Sequence, residues 1–96
     1  MDFNHFLTSY MPDPSIGSKI HFQNMIDQAV LAEKLGYKTV SIPEHHLVNL
    51  LMMPSPLQMA VKIATLTKDI KITTGVAVLP LHDMRTYAGE VATADI

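Results

Sequence analysis

The residues with the most chemical potential form one consecutive run, Glu44-His45-His46. A histidine ring gains and loses a proton near neutral pH. A neighbouring carboxylate can fix its tautomer and raise its basicity. The run therefore holds the components of a general acid–base site. Adjacent side chains on an extended backbone point in different directions, so at most one of the two rings is expected to face a pocket. The alternative stays open: both histidines as loop residues that hydrogen-bond to main chain. A metal centre is not expected. HExxH is absent, consecutive residues chelate one ion poorly, and the chain has no cysteine.

Gly75-Val76-Ala77 is the second segment of interest. A glycine inside a strand marks either a bulge where backbone approaches a ligand or a kink that lets a barrel strand curve. His82 and Arg85 lie near a helix start, where a basic pair either meets an anion or is simply solvated. His5 and His21 have no evident partners and are expected to pack or meet solvent. Met52-Met53 either lines an apolar pocket or fills gaps. Neither GxGxxG nor GxxxxGK[ST] occurs, so no phosphate loop is expected.

These residues need elements to position them. Phe3 to Leu7 reads as a first strand, and Tyr10 to Ser18, with two prolines and a glycine, reads as a loop. Phe22, Met25, Ile26, Ala29 and Val30 then share one helical face, and Gly36 stands where a C′ glycine would end that helix. Thr39 to Ile42 alternates as a second strand, stopped by Pro43. Glu44 to Pro54 follows as a loop. Ser55-Pro56 signals a helix start, with serine as the expected cap. Leu57, Ala60, Val61 and Ala64 mark that helix's apolar face, widened by Met59, Ile63 and Leu66. Ile70 to Thr74 is a third strand that runs into the apolar Gly75 to Pro80. A last helix starts near Met84, with Tyr87, Ala88, Val91 and Ala92 on one side.

The order β-α-β-α-β-α, with strand starts spaced by about 30 residues or more, predicts parallel strands in successive βαβ units. In such folds ligands meet the loops beyond the C-terminal strand ends. The segments Thr8 to Ser18, Pro43 to His46 with its following loop, and Gly75 to His82 all qualify. A parallel sheet needs cover on both faces. Three strands with the pattern still running at Ile96 lead us to expect the N-terminal portion of a larger α/β protein. A complete three-stranded domain is the alternative.

Composition narrows the class. The 96 residues carry 7 basic and 9 acidic side chains, a formal charge of −2, and 48% are hydrophobic. That profile suits a globular protein and argues against a nucleic-acid footprint. No apolar run approaches bilayer length, and the opening MDFNHF lacks the pattern of a secretory signal. A cytoplasmic location is expected.

The ordered motifs say more than any one of them. Ala32-Glu33-Lys34-Leu35-Gly36-Tyr37 is followed by Val40-Ser41-Ile42-Pro43-Glu44-His45-His46 and Pro54-Ser55-Pro56-Leu57. Then come Thr74-Gly75-Val76-Ala77-Val78-Leu79-Pro80-Leu81-His82 and Glu90-Val91-Ala92-Thr93-Ala94-Asp95. This series, spanning nearly the whole chain, closely resembles the N-terminal third of the bacterial luciferase-like, flavin-dependent monooxygenases. The resemblance implies a TIM (β/α)8 barrel, of which residues 1–96 supply the first three βα units. Such a barrel takes about 250 residues, so the chain would be incomplete and inactive alone.

The resemblance also implies reduced FMN and O2 acting on a small organic substrate, with a flavin reductase as partner and a homo- or hetero-dimer as the full-length form. Some relatives use the deazaflavin F420 instead, and a catalytically inert piece acting in assembly is a further possibility. By the same resemblance His45 is the catalytic histidine, supported by Glu44 and His46. Gly75, Val76 and Ala77 would face the flavin, with a non-proline cis peptide between Gly75 and Val76. The flavin phosphate would be held by residues beyond Ile96.

Overall fold

The computed structural model describes every residue, Met1–Ile96. Three parallel strands, β1 (Asn4–Phe6), β2 (Thr39–Ile42) and β3 (Lys71–Thr74), form one sheet in the order β1-β2-β3. Each strand is followed by a helix: α1 (Gly17–Lys34), α2 (Pro56–Ala64) and α3 (Met84–Ala94). This is the βα alternation expected from the sequence.

The strands are shorter than their apolar runs. β1 omits Phe3 and Leu7, although the Phe3 carbonyl accepts from Lys38 N–H and the Leu7 N–H donates to Ser41 O. β3 omits Ile70 and stops at Thr74, and the Gly75 N–H adds one more rung to Ile42 O at 2.7 Å. The expected continuation through Gly75 to Pro80 is therefore not strand. The Gly75-Val76 peptide is cis, and the chain then enters a 3-10 turn at Leu79–Leu81.

Alternation on β2 sorts the two sheet faces. Val40 and Ile42 are fully buried, whereas Thr39 and Ser41 are half-exposed. Register places His5, Val40 and Ile72 side by side, and Phe6, Ser41 and Thr73 on the other face. The first face packs against Met25, Ile26, Ala29 and Ala32 of α1 and Met59 and Ile63 of α2. Full burial of side chains such as Met25, Ile42 and Ile63 contributes about 1.5–3 kcal/mol each. The second face carries no helix. It bears a polar row in which Ser41 Oγ donates to Asn4 Oδ1 at 3.0 Å and lies 2.9 Å from Thr73 Oγ1.

α1 begins at Gly17, inside the segment read as a loop. A 3-10 turn at Pro14–Ile16 precedes it, with the Asp13 carboxylate accepting from Ser15 N–H. Its end follows the expected pattern. Gly36 adopts φ 86°, the Gly36 N–H donates to Glu33 O, and the Tyr37 N–H donates to Ala32 O. This is a Schellman closure, and glycine supplies its left-handed residue at no steric cost. Glu33 then reaches the turn before β3, where its Oε1 accepts the N–H groups of Lys68, Asp69 and Ile70 at 2.7–3.0 Å. Those bonds fix where β3 starts.

Two expectations about α2 are corrected. Ser55 occupies the cap position, but its hydroxyl makes no capping hydrogen bond; proline at N1 already removes one free donor. The buried stripe is Pro56, Met59 and Ile63, while Val61, Ala64 and Leu66 are exposed. α2 is apolar on two sides, and only one side meets the sheet. α3 starts near Met84 as expected. Its cap is Asp83, whose carboxylate accepts from Arg85 N–H and Thr86 N–H. No residue of α3 is fully buried.

Candidate active site

The three loops beyond the C-terminal strand ends are tied together, two by main chain and two by one carboxylate. The loop after β2 folds back on itself: the His45 N–H donates to Met53 O at 2.8 Å. It also pairs with the loop after β1, through Met11 N–H to Leu50 O and Met52 N–H to Ser9 O. Met53 and Met11 are buried beneath these contacts. Of the Met52-Met53 pair, Met53 fills the base of the loop, whereas Met52 is half-buried.

Glu44 is the centre of the cluster. Its side chain is fully buried. Oε1 accepts from His46 Nε2 and from His82 Nε2, both at 2.7 Å, and Oε2 accepts from Val78 N–H at 2.7 Å. Burial pushes the Glu44 carboxyl up. The hydrogen bonds from His46, Val78 and His82, with the nearby His82 ring, outweigh it and hold the group below the usual carboxylate value. A carboxylate that takes three donors is an acceptor at both oxygens, which favours its ionised form.

The sequence-predicted residues separate here. Glu44 and His46 come together. His45 stays half-buried, anchored by its main chain, and Glu44 does not reach its ring. His82 is the residue that sequence reasoning undervalued. Paired with Arg85, it was read as an anion contact or a solvated charge. The anion it meets is the Glu44 carboxylate; the ring is half-buried and stacked on Tyr87 with ring centroids 4.4 Å apart. Arg85 pairs with Asp83 at 2.6 Å, with its side chain 91% exposed. That pairing holds Asp83 at about 2. The one sequence signal for His82 was position: it follows β3 on the same sheet edge as Glu44. Tyr87 is pushed up, first by burial and then by the negative charges of Glu44 and Glu90.

His5 and His21 lie outside this cluster. His5 was read as unpartnered, yet its Nε2 lies 3.2 Å from Gln28 Oε1 and its ring meets Tyr37 edge-on. His21 is buried, and its Nε2 has no partner.

Gly75, Val76 and Ala77 follow β3 beside the cluster. A Cβ on Gly75 would come within 3.3 Å of Ser41 Cβ and 4.0 Å of the Phe6 ring. Glycine thus keeps the backbone bare at the end of the helix-free face. Phe6 and Val76 next to it are 50% and 69% exposed. A bare peptide flanked by exposed apolar groups fits a flat aromatic ring system.

A buried carboxylate wired to two histidines, at the C-terminal edge of a parallel sheet, defines an α/β protein whose reactive loops gather at one end. The family model for luciferase-like monooxygenase matches residues 1–96, and the chain belongs to that family. It is 34% identical, over its whole length, to the uncharacterised protein y4vJ of Sinorhizobium fredii, covering 27% of that protein. It is 31% identical over 75 residues to the oxygenase component of the flavin-dependent trigonelline monooxygenase of Acinetobacter baylyi, covering 78% of this chain and 21% of that one. Among solved structures it is similar to the oxygenating constituent of 3,6-diketocamphane monooxygenase of Pseudomonas putida, in complex with FMN. The TM-score is 0.86 at 26% identity, over 94% of this chain and 24% of that one. The chain thus spans about a quarter of the length of the relatives it matches. No helix is long and apolar enough to cross a membrane.

Proposed function

We propose that residues 1–96 form the first three βα units of a (β/α)8 barrel belonging to a monooxygenase that uses reduced FMN and O2. The substrate is a small organic molecule such as an aldehyde. A flavin reductase supplies the reduced flavin, and the enzyme works as a dimer in the cytoplasm. The observation that carries this reading is the close superposition on an FMN-bound oxygenating constituent, with a TM-score of 0.86. The parallel β1-β2-β3 order supports the barrel assignment.

Reduced FMN supplies the electrons that activate O2. The chain's own residues do the rest. Gly75, Val76 and Ala77 hold the ring by their backbone, with the exposed Phe6 beside them. His45 gives acid–base assistance at the reacting centre. Its main chain is fixed by Met53 O, so the ring is carried on an ordered segment. Glu44 and His46 support it by holding the rest of the loop.

The test joins residues 1–96 to the remaining barrel of the diketocamphane monooxygenase constituent, replacing the matching segment. Circular dichroism first establishes that the chimera folds. The folded chimera is expected to bind FMN and to consume O2 in step with product formation when reduced FMN is supplied. A folded chimera that takes reduced F420 in place of FMN, or that lacks both activities, contradicts the proposal.

A further inference from the structure

We infer that Glu44 is a positioning residue which locks His46 and His82 in the same tautomer, with the proton on Nε2 and a bare Nδ1 on each ring. The assignment rests on the monooxygenase reading for its chemical purpose, but not for its geometry. Glu44 is acceptor-only in its ionised form, and its Oε1 meets both rings at Nε2. A neutral imidazole that donates from Nε2 accepts at Nδ1. The Oε2 atom is occupied by the Val78 N–H, so the carboxylate cannot turn away from either ring without orphaning a main-chain donor.

Two features make this arrangement more than loop glue. The rings come from different loops, the His46 ring after β2 and the His82 ring after β3, yet they share one carboxylate oxygen. Both also remain open to solvent on part of their surface: the side chains are 34% and 23% exposed, while Glu44 is sealed. The groups that can meet a ligand are therefore the two rings, not the carboxylate. His82 is further held by its stack on Tyr87. The result is a pair of nitrogen acceptors suited to a ligand that donates protons, such as a hydroxyl, an aldehyde hydrate or a bound water. Glu44 does not touch that ligand; it sets which nitrogen the ligand meets.

The test reads tautomers directly and uses no flavin. Nitrogen-15 correlation spectra of the 96-residue protein at about pH 9, where an ordinary imidazole is neutral, resolve which ring nitrogen carries the proton. His46 and His82 are expected to show the Nε2–H form alone. Glu44→Gln, with one acceptor turned into a donor, is expected to lose that single-tautomer signature in both rings, while the His45 pattern stays as in the parent. An Nδ1–H form of either ring in the parent overturns the inference without any variant. Unchanged tautomers in a folded Glu44→Gln protein overturn it as well. Either failure leaves the flavin chemistry of the chimera to stand or fall on its own assay.

Discussion

His82 Nε2 meets Glu44 Oε1 at 2.7 Å across 38 positions of the chain. This bond joins the loop after β2 to the loop after β3, and the carboxylate that makes it is closed to water. Local structure places each partner, but only the parallel pairing of β2 with β3 brings them to the same sheet edge.

Removing that carboxylate leaves the Val78 N–H and two ring donors without their acceptor. Glu44→Ala is expected to destabilise the fold by about 1.5–3 kcal/mol, the range for hydrogen bonds to a charged group. His82→Ala should cost less, because Glu44 retains His46 and Val78. Urea unfolding of the two variants measures the difference. Equal losses would mean that the His82 bond carries the whole effect.

Acid should weaken the same tie. Glu44 sits below its ordinary value of 4.5: burial raises it, and the bonds from His46, Val78 and His82 more than compensate. Unfolding restores the ordinary value, so the unfolded chain binds more protons in the acid range. The contribution is complete above about pH 4.5 and disappears as pH falls through the lowered folded value. Glu33, lowered by the Asp69, Ile70 and Lys68 N–H groups, acts with the same sign. The urea midpoint is expected to fall below about pH 4.5, and to fall less in Glu44→Gln. A parallel decline in parent and variant would exclude Glu44 as a source.

Glu33 also makes a prediction of its own. Its Oε1 is the acceptor for three successive N–H groups at the entrance to β3. Glu33→Ala should speed amide hydrogen exchange at Lys68, Asp69 and Ile70 more than at Val40, which lies in the centre of the sheet. Uniform acceleration would indicate a global loss of stability instead of local release.

Gly75 and Ser41 should behave as a coupled pair. A methyl group at Gly75 would press on Ser41 Cβ at 3.3 Å, and Ser41 is held by Asn4 and Thr73. Gly75→Ala is expected to cost about 1 kcal/mol, at the low end for overpacking. The cost should shrink in a Ser41→Gly background, as a double-mutant cycle would reveal. Additive losses would place the strain elsewhere.

Much of this was legible in the sequence, and the failures have physical causes. Thr39 to Ile42 gave its strand and its buried face through simple alternation. Gly36 gave the end of α1 because only a left-handed residue completes that closure. The α2 stripe was misread because the helix is apolar on two sides, and periodicity cannot say which side meets a sheet. Ser55 was misread as a hydrogen-bonding cap because the residue type fits while the side-chain geometry does not. His82 was undervalued for a different reason. Its partner lies in another βα unit, and no local pattern encodes a contact that sheet register creates. Glu44 reaches His46 and not its own neighbour His45 because side chains two apart on extended backbone share a side; register accounts only for His82.

The most direct measurement is turnover by the folded chimera with reduced FMN and O2, in the parent, His45→Ala and His46→Ala forms. Loss of a general acid–base group costs about 100-fold or more. The expected result is FMN-dependent product formation in the parent, a loss of that size in His45→Ala, and a much smaller one in His46→Ala. Equal effects of the two substitutions, or a folded chimera with no FMN-dependent turnover, would contradict the account.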